Sequence, residues 1–284
     1  MSGCDPRISL VTPSFNQADY LEETLRSVLD QGYSCLEYVV IDGGSSDGSV
    51  EIIGRYADRL AAWVSEPDGG HTDGLNKGFA RTGGEIMGWV NSSDVQFPWT
   101  LRTVAEVFRD IPDAQWIMGL QTHVARGGGP KTVCSGTWNV YDFLAGDYRW
   151  LQQESVFWRR ELWERVGGRI DPGARYTCDF SLWLRFMELA PLYHVEVPLG
   201  GFRHHGERRG TAAGGAYAAE ALEQWEQWRA AAPVARRQRG RLVGAAPAPL
   251  ATPWRAFLER SSLTPWYRHK RVGYDFDADT WVAR

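Results

Sequence analysis

The 284-residue chain is poor in cysteine. Its four thiols, Cys4, Cys35, Cys134 and Cys178, stand too far apart in sequence to offer a paired metal-ligand spacing. A chain this long does not need disulfides to fold, so a reducing compartment is expected. No apolar run approaches the length of a membrane span, and Met1–Arg7 lacks the apolar core of a signal peptide. Together these predict a cytoplasmic protein, peripheral at the inner face of a membrane at most. Charge of one sign is scarce too: a formal net charge of −4 gives no broad footprint for nucleic acid, which is not an expected partner. The local basic run Arg236–Arg241 reads as a solvated turn or a weak contact with acidic lipid head groups. A hydrophobic fraction of 43% excludes wholesale disorder and supplies a sizeable core.

What is present is a repeated alternation. Apolar runs at Ile8–Thr12, Leu36–Asp42 and Glu85–Val90 each break into polar, Gly- or Pro-bearing turns. Leu21, Leu25, Val28 and Leu29 share one face of a helix over Gln17–Asp30. Shorter helices are expected near Gly48–Tyr56 and Asp73–Arg81, the latter after a strand at Ala61–Val64. This pattern predicts an α/β fold with a mostly parallel central sheet and helices on both faces. After a helix from about Pro98 to Arg109, a strand at Gln115–Val124 followed by an antiparallel return at Thr132–Val140 would make the sheet mixed. Helices are expected at Arg159–Val166, Asp179–Leu189 and Tyr217–Ala231, with a strand at Leu192–Val197. Composition shifts after Pro233, so the expected division is a domain over 1–232 and a Pro-, Arg- and aromatic-rich extension over 233–284.

Two polar clusters fall where strands end. Asn91-Ser92-Ser93-Asp94 puts a carboxylate at the sheet edge where α/β proteins bind ligands, and such an acid can hold a metal. Asp42-Gly-Gly-Ser-Ser-Asp-Gly48 supports two readings. It could be a tight turn with Ser46 or Asp47 capping a helix, or Asp42 could accept a hydrogen bond from a nucleotide base. Its glycines do not fit the dinucleotide spacing, and no Walker-type Lys follows.

Read in order, Thr12-Pro-Ser-Phe-Asn16, Val40 to Gly48, Ser65-Glu-Pro-Asp-Gly-Gly70, Asn76-Lys-Gly78 and Trp89 to Asp94 closely resemble the donor half of family 2 glycosyltransferases, inverting enzymes of GT-A fold. Gln153 to Arg160, Val166-Gly-Gly168 and Thr177 to Arg185 resemble that family's acceptor half. The resemblance covers roughly residues 7 to 206, with a donor half at about 7–125 and an acceptor half at about 126–210. It implies a nucleotide-sugar donor (UDP-, dTDP- or GDP-linked), with Thr12, Pro13, Phe15 and Asn16 lining the base and ribose pocket and Asp42 gripping the base. Asp68, Asn76 and Lys77 would flank ribose and diphosphate, and Asn91 and Ser93 would adjoin them. Asp94 corresponds to the family's metal-binding carboxylate for Mg²⁺ or Mn²⁺, with His205 as a further metal or phosphate contact. Asp179 falls where the family places its general base; helix N-capping is its plainer role. The family usually carries an acid where this chain has Ser93, so a non-catalytic nucleotide-sugar binder or scaffold is the alternative.

Fourteen Trp residues are expected mostly in the core. Trp150, with Gln153 and Glu154, is the expected contact for the acceptor, whether saccharide, glycolipid or small molecule. Aromatic and basic residues of the tail allow peripheral membrane contact or a homodimer, though packing on the core is the simpler expectation. A nucleotidyltransferase would need a basic triphosphate loop near the N-terminus, and Thr12–Gln17 contains no Arg or Lys.

Overall fold

A computed structural model describes residues 5–125, 129–148, 151–203 and 215–284. Its first half alternates strand and helix: β1 (Ile8–Ser14), α1 (Ala18–Leu29), β2 (Leu36–Asp42), α2 (Ser49–Arg55), β3 (Ala62–Ser65), α3 (His71–Phe79) and β4 (Ile86–Trp89). The short β5 (Val95–Gln96), α4 (Thr100–Asp110) and β6 (Trp116–Val124) follow. The second half holds β7 (Pro130–Cys134), α5 (Val140–Leu144), β8 (Val156–Arg159), α6 (Arg160–Arg165), α7 (Cys178–Leu189), β9 (Leu192–Pro198) and β10 (Gly200–Arg203). Helices α8 (Ala216–Ala231), α9 (Val234–Val243) and α10 (Ala248–Arg260) lead to β11 (Lys270–Asp275) and β12 (Thr280–Ala283).

The main sheet runs β12-β11-β9-β6-β8-β4-β1-β2-β3. Strands β4, β1, β2 and β3 are mutually parallel, as are β6, β9 and β11. Between these two groups β8 runs antiparallel to both β4 and β6, and β7 and β12 add further antiparallel pairs. The sheet is therefore mostly parallel and partly mixed. Successive residues alternate between two cores, as the period of two requires. Val11, Trp116 and Trp158 face one core with α3, α6 and α7, while Leu10, Ile117 and Phe157 face the other with α1, α2 and α4.

One expectation needs revision. The antiparallel return after β6 stops at Cys134, and Val140 begins a helix instead of ending a strand. The reason is local: the Asn139 side chain accepts from Asp142 N while Asp142 accepts from Asn139 N, a reciprocal cap that starts α5. The stretch 233–284 contributes two helices, and its end is hydrogen-bonded into the sheet, Lys270–Val272 pairing with Tyr193–Val195.

Candidate active site

The parallel register aligns Ser14, Asp42 and Ser65 at one edge, so the turns after β1, β2 and β3 leave the sheet side by side. Because β8 is antiparallel, the residues that precede it arrive at this same edge: Gln153 Nε2 donates to the Trp89 carbonyl at the end of β4.

Asp42 is fully buried, and its carboxylate is occupied by its own turn. Oδ2 accepts from Gly44 N, Ser45 N and Ser65 Oγ at 2.8–3.1 Å, and Oδ1 accepts from Ser45 Oγ at 2.5 Å. These four donors, three on Oδ2 and one on Oδ1, commit most of the carboxylate to holding its own turn. The turn needs Gly44, whose φ of 82° lies in the left-handed region. Asp47 ties the turn to the next loop by accepting from Ser49 N and from Ala18 N at the start of α1. Beside it, Asn16 accepts from Ser46 N, and Phe15 is 60% exposed at the tip of β1. Thr12 lies behind the edge: it is buried and bonds Tyr38 Oη and the Val90 carbonyl. Pro13 is buried alongside.

Asp68 accepts from Gly70 N at 2.7 Å and lies against Gly43 and Gly74, where a Cβ would crowd it. Asn76 is committed elsewhere. Its amide donates to the Ile170 carbonyl at 3.0 Å and accepts from Ile170 N at 2.9 Å, clamping α3 to the loop before α7. Lys77 pairs with Glu66 and Asp73, both at 3.2 Å.

Asp94 is 1% exposed. Its Oδ1 accepts from Arg203 N at 2.9 Å and its Oδ2 from Asn91 Nδ2 at 3.0 Å. Asn91 Oδ1 lies 2.9 Å from His71 Nε2, which assigns the proton to that nitrogen; His71 Nδ1 then faces the Cys178 thiol at 3.6 Å. A polar chain thus links Asp94 to the residue preceding Asp179. Arg203, fully buried, donates through Nε to the Ser93 carbonyl at 2.7 Å and so fixes the Asn91–Asp94 turn from the far side.

Asp179 lies in the first turn of α7, after Thr177, whose side chain makes no capping hydrogen bond. Its Oδ1 accepts from Phe180 N at 2.8 Å, and the side chain is half-buried. Burial pushes its pKa up to about 6, with a smaller push from Glu220. Glu220, on α8, accepts from Tyr176 N and Thr177 Oγ1 and thereby holds the approach to α7. One turn along the helix, Trp183 stacks on Trp89 with ring centroids 5.6 Å apart, which ties α7 to the strand that leads to Asp94.

Gln153 and Glu154 are both buried, and among the described residues neither Gln153 Oε1 nor Glu154 Oε1 has a hydrogen-bond partner. Burial, then the Asp94 and Asp179 carboxylates, hold Glu154 well above the usual carboxylate range. Glu154 therefore lies within electrostatic reach of both other carboxylates. His205 and Trp150 lie outside the described residues.

The Asp94 carboxylate, buried at the strand ends, supplies the oxygen donor that a divalent cation prefers, and diphosphate oxygens would complete the shell. Among the described residues no group of three or more His, Cys, Asp or Glu side chains is placed to hold an ion without such help. Sequence reasoning missed His71 and Arg203. The one signal for His71 was its place at the first residue of a helix beside the motif glycines; the signal for Arg203 was its place two residues before His205.

An α/β sheet with a polar crevice at its strand ends, closed on one side by a helix bearing an acid, is the GT-A type of nucleotide-sugar transferase fold. The Glycosyl transferase family 2 profile matches residues 9–188, and the chain belongs to that family. An uncharacterized glycosyltransferase of Mycobacterium tuberculosis is 41% identical over 90 residues, 31% of this chain and 34% of that relative. The matched stretch thus spans about a third of that relative's length. Staphylococcus aureus TarS residues 1–349, solved with UDP-GlcNAc, superimposes with a TM-score of 0.67 at 15% identity, covering 89% of this chain and 80% of that one. The mannosyltransferase PcManGT of Pyrobaculum calidifontis, solved with GDP-Man and Mn²⁺, gives 0.58 at 21% identity over 93% and 72%. No helix among the described residues is long and apolar enough to cross a membrane.

Proposed function

We propose that the protein is an inverting glycosyltransferase that moves a sugar from a nucleoside-diphosphate donor to an acceptor hydroxyl in a single displacement. The observation that carries this reading is Asp179, a half-buried carboxyl with a pKa raised to about 6, close enough to Glu154 to act on it together with Asp94. A carboxylate desolvated to that degree is a better base near neutral pH than an ordinary aspartate. The acceptor O–H gives its proton to Asp179 as the oxygen bonds the anomeric carbon and the bond from that carbon to the diphosphate breaks on the opposite face. Inversion follows from that geometry. Because a sugar hydroxyl is far less acidic than the carboxyl, proton transfer comes late.

Phe15, exposed at the tip of β1, stacks on the base; the Asp42 turn shapes the base and ribose pocket with its backbone, and Asp68 adjoins it. Asn91 and the Ser93 hydroxyl face ribose and diphosphate. Asp94 would hold Mg²⁺ or Mn²⁺, which when bound neutralises charge on the departing diphosphate. The donor complexes of TarS and PcManGT support a UDP- or GDP-linked sugar, and a dTDP-sugar suits the same pocket. Gln153 and Glu154 border the acceptor, a saccharide, glycolipid or small molecule. Cell-envelope polysaccharide synthesis, with a cytoplasmic protein touching a membrane peripherally, accommodates such an acceptor. The second reading, donor binding without transfer, rests on Ser93 standing where a second acid would strengthen the metal site.

Incubation with UDP-, dTDP- and GDP-sugars, with release of nucleoside diphosphate followed by mass spectrometry, separates the two. Turnover that disappears in Asp179→Asn supports transfer. Donor binding without turnover, unchanged by Asp179→Asn, would leave the binder.

A further inference from the structure

Residues 233–271 hold nine Lys and Arg against one acid, Glu259, a local charge of +8 that leaves −12 for the rest of the chain. Helices α9 and α10 supply most of it. Their inner faces pack through Val243, Leu258 and Tyr267, against Tyr141 and Ala145. Several arginines serve that packing: Arg236 pairs with Glu188, Arg239 lies over Trp266, and Arg255 pairs with Asp147.

The outer faces are different. Five of the twelve exposed large apolar side chains among the described residues fall between 234 and 263: Val234, Leu242, Leu250, Phe257 and Leu263, the last 86% exposed. Leu250, Pro253, Phe257 and Arg260 recur at the spacing of one face of α10. Trp254 stacks on Phe257 at 5.6 Å and donates to the Leu242 carbonyl, which brings the end of α9 beside this face of α10. Arg241, Arg260 and Arg268, each within five residues of one of these apolar side chains in sequence, are exposed as well.

We propose that this α9–α10 face docks on an anionic lipid bilayer, with Leu242, Leu250, Phe257 and Leu263 entering the head-group boundary and Arg241, Arg260 and Arg268 meeting lipid phosphates. This gives a location to the peripheral contact of the preceding reading, and it does not depend on the donor chemistry. Charge selects the occupant. A second copy on a two-fold axis would set +8 against +8. A soluble acidic polymer would engage the arginines but leave Phe257 and Leu263 in water. An anionic interface satisfies both, because basic residues and apolar side chains add to its affinity together.

The test is co-sedimentation of the full chain with vesicles of phosphatidylcholine alone or mixed with phosphatidylglycerol, at low and high salt. The expected result is binding to the anionic vesicles that weakens with salt. It should fall by about tenfold or more in Arg241→Glu/Arg260→Glu, at about 1 kcal/mol per basic residue near the surface. It should fall similarly in Phe257→Ser/Leu263→Ser. All four side chains are exposed, so the variants keep the wild-type melting temperature. Absence of binding to anionic vesicles overturns the proposal, and so does binding indifferent to Phe257→Ser/Leu263→Ser. A native mass that halves in that variant without lipid would instead mark a contact between copies, and would likewise overturn it. Thermal stabilisation by UDP or GDP in the same variants reports the donor site separately, so failure of one reading is distinguishable from failure of the other.

Discussion

Replacing Asp179 by Asn should stabilise the protein while stopping its chemistry. The carboxyl titrates near 3.8 in the unfolded chain and near 6 in the fold, because burial disfavours its charge. Two units correspond to about 3 kcal/mol at ~1.4 kcal/mol per unit. The side chain is half-buried, so solvent screening reduces this to about 1–2 kcal/mol. The sign follows from proton counts. Between pH 4 and 6 the folded state binds more protons than the unfolded state, so wild-type stability falls across that window and is level above it. Asn carries no such cost and still accepts from Phe180 N. Asp179→Asn should therefore match wild type below about pH 4 and melt roughly 2–5 °C higher above pH 6. Release of nucleoside diphosphate should fall by about a factor of 10² to 10⁴. Fluorescence-monitored melting across pH, paired with the release assay, checks both arms. A variant that melts lower than wild type at pH 7.5, or whose advantage does not depend on pH, would refute the reasoning.

Three further outcomes are expected. Phe15→Ala should leave the melting temperature unchanged, since the ring is exposed, but weaken nucleoside diphosphate binding by about tenfold, the worth of one base–aromatic stack; calorimetry reads it directly. Asn76→Ala should cost about 1–3 kcal/mol in urea unfolding, because Ile170 N and O lose their partner together, and it should do so with or without nucleotide. Trp183→Ala should cost about 3–5 kcal/mol, and it should lower turnover more than donor affinity because the stack on Trp89 that holds α7 is lost.

The alternation of apolar runs with turn residues made the parallel sheet legible, and the strand-end position of Asn91–Asp94 is matched by a β4 that runs parallel to β1 and stops at Trp89. Asp179 was singled out through its motif, which left capping open, and in the fold its carboxylate does accept from a first-turn N–H, that of Phe180. Other features depend on partners far away in sequence. Asn76 stands in a donor-like motif, yet its amide is matched by the backbone of Ile170, 94 residues on. Asp42 looks like a free acid at a strand tip, and its oxygens are taken by Ser45 and Ser65 from two different strand-end turns. The end of the chain reads as a Pro- and Arg-rich tail because β11 is short and follows a turn, and nothing local shows that the edge of β9 awaits it. Long-range pairing of this kind is set by the surface the rest of the fold presents, not by local propensity.

The central claim is a nucleotide-sugar site at the strand ends that works through Asp94. Titration calorimetry of UDP, dTDP and GDP, each with and without Mn²⁺, on wild type and Asp94→Ala tests it most directly. The account predicts binding of one base class, tightened by Mn²⁺ in wild type, with that tightening lost in Asp94→Ala. Binding equally strong in the variant, or no binding of any nucleoside diphosphate, would contradict it.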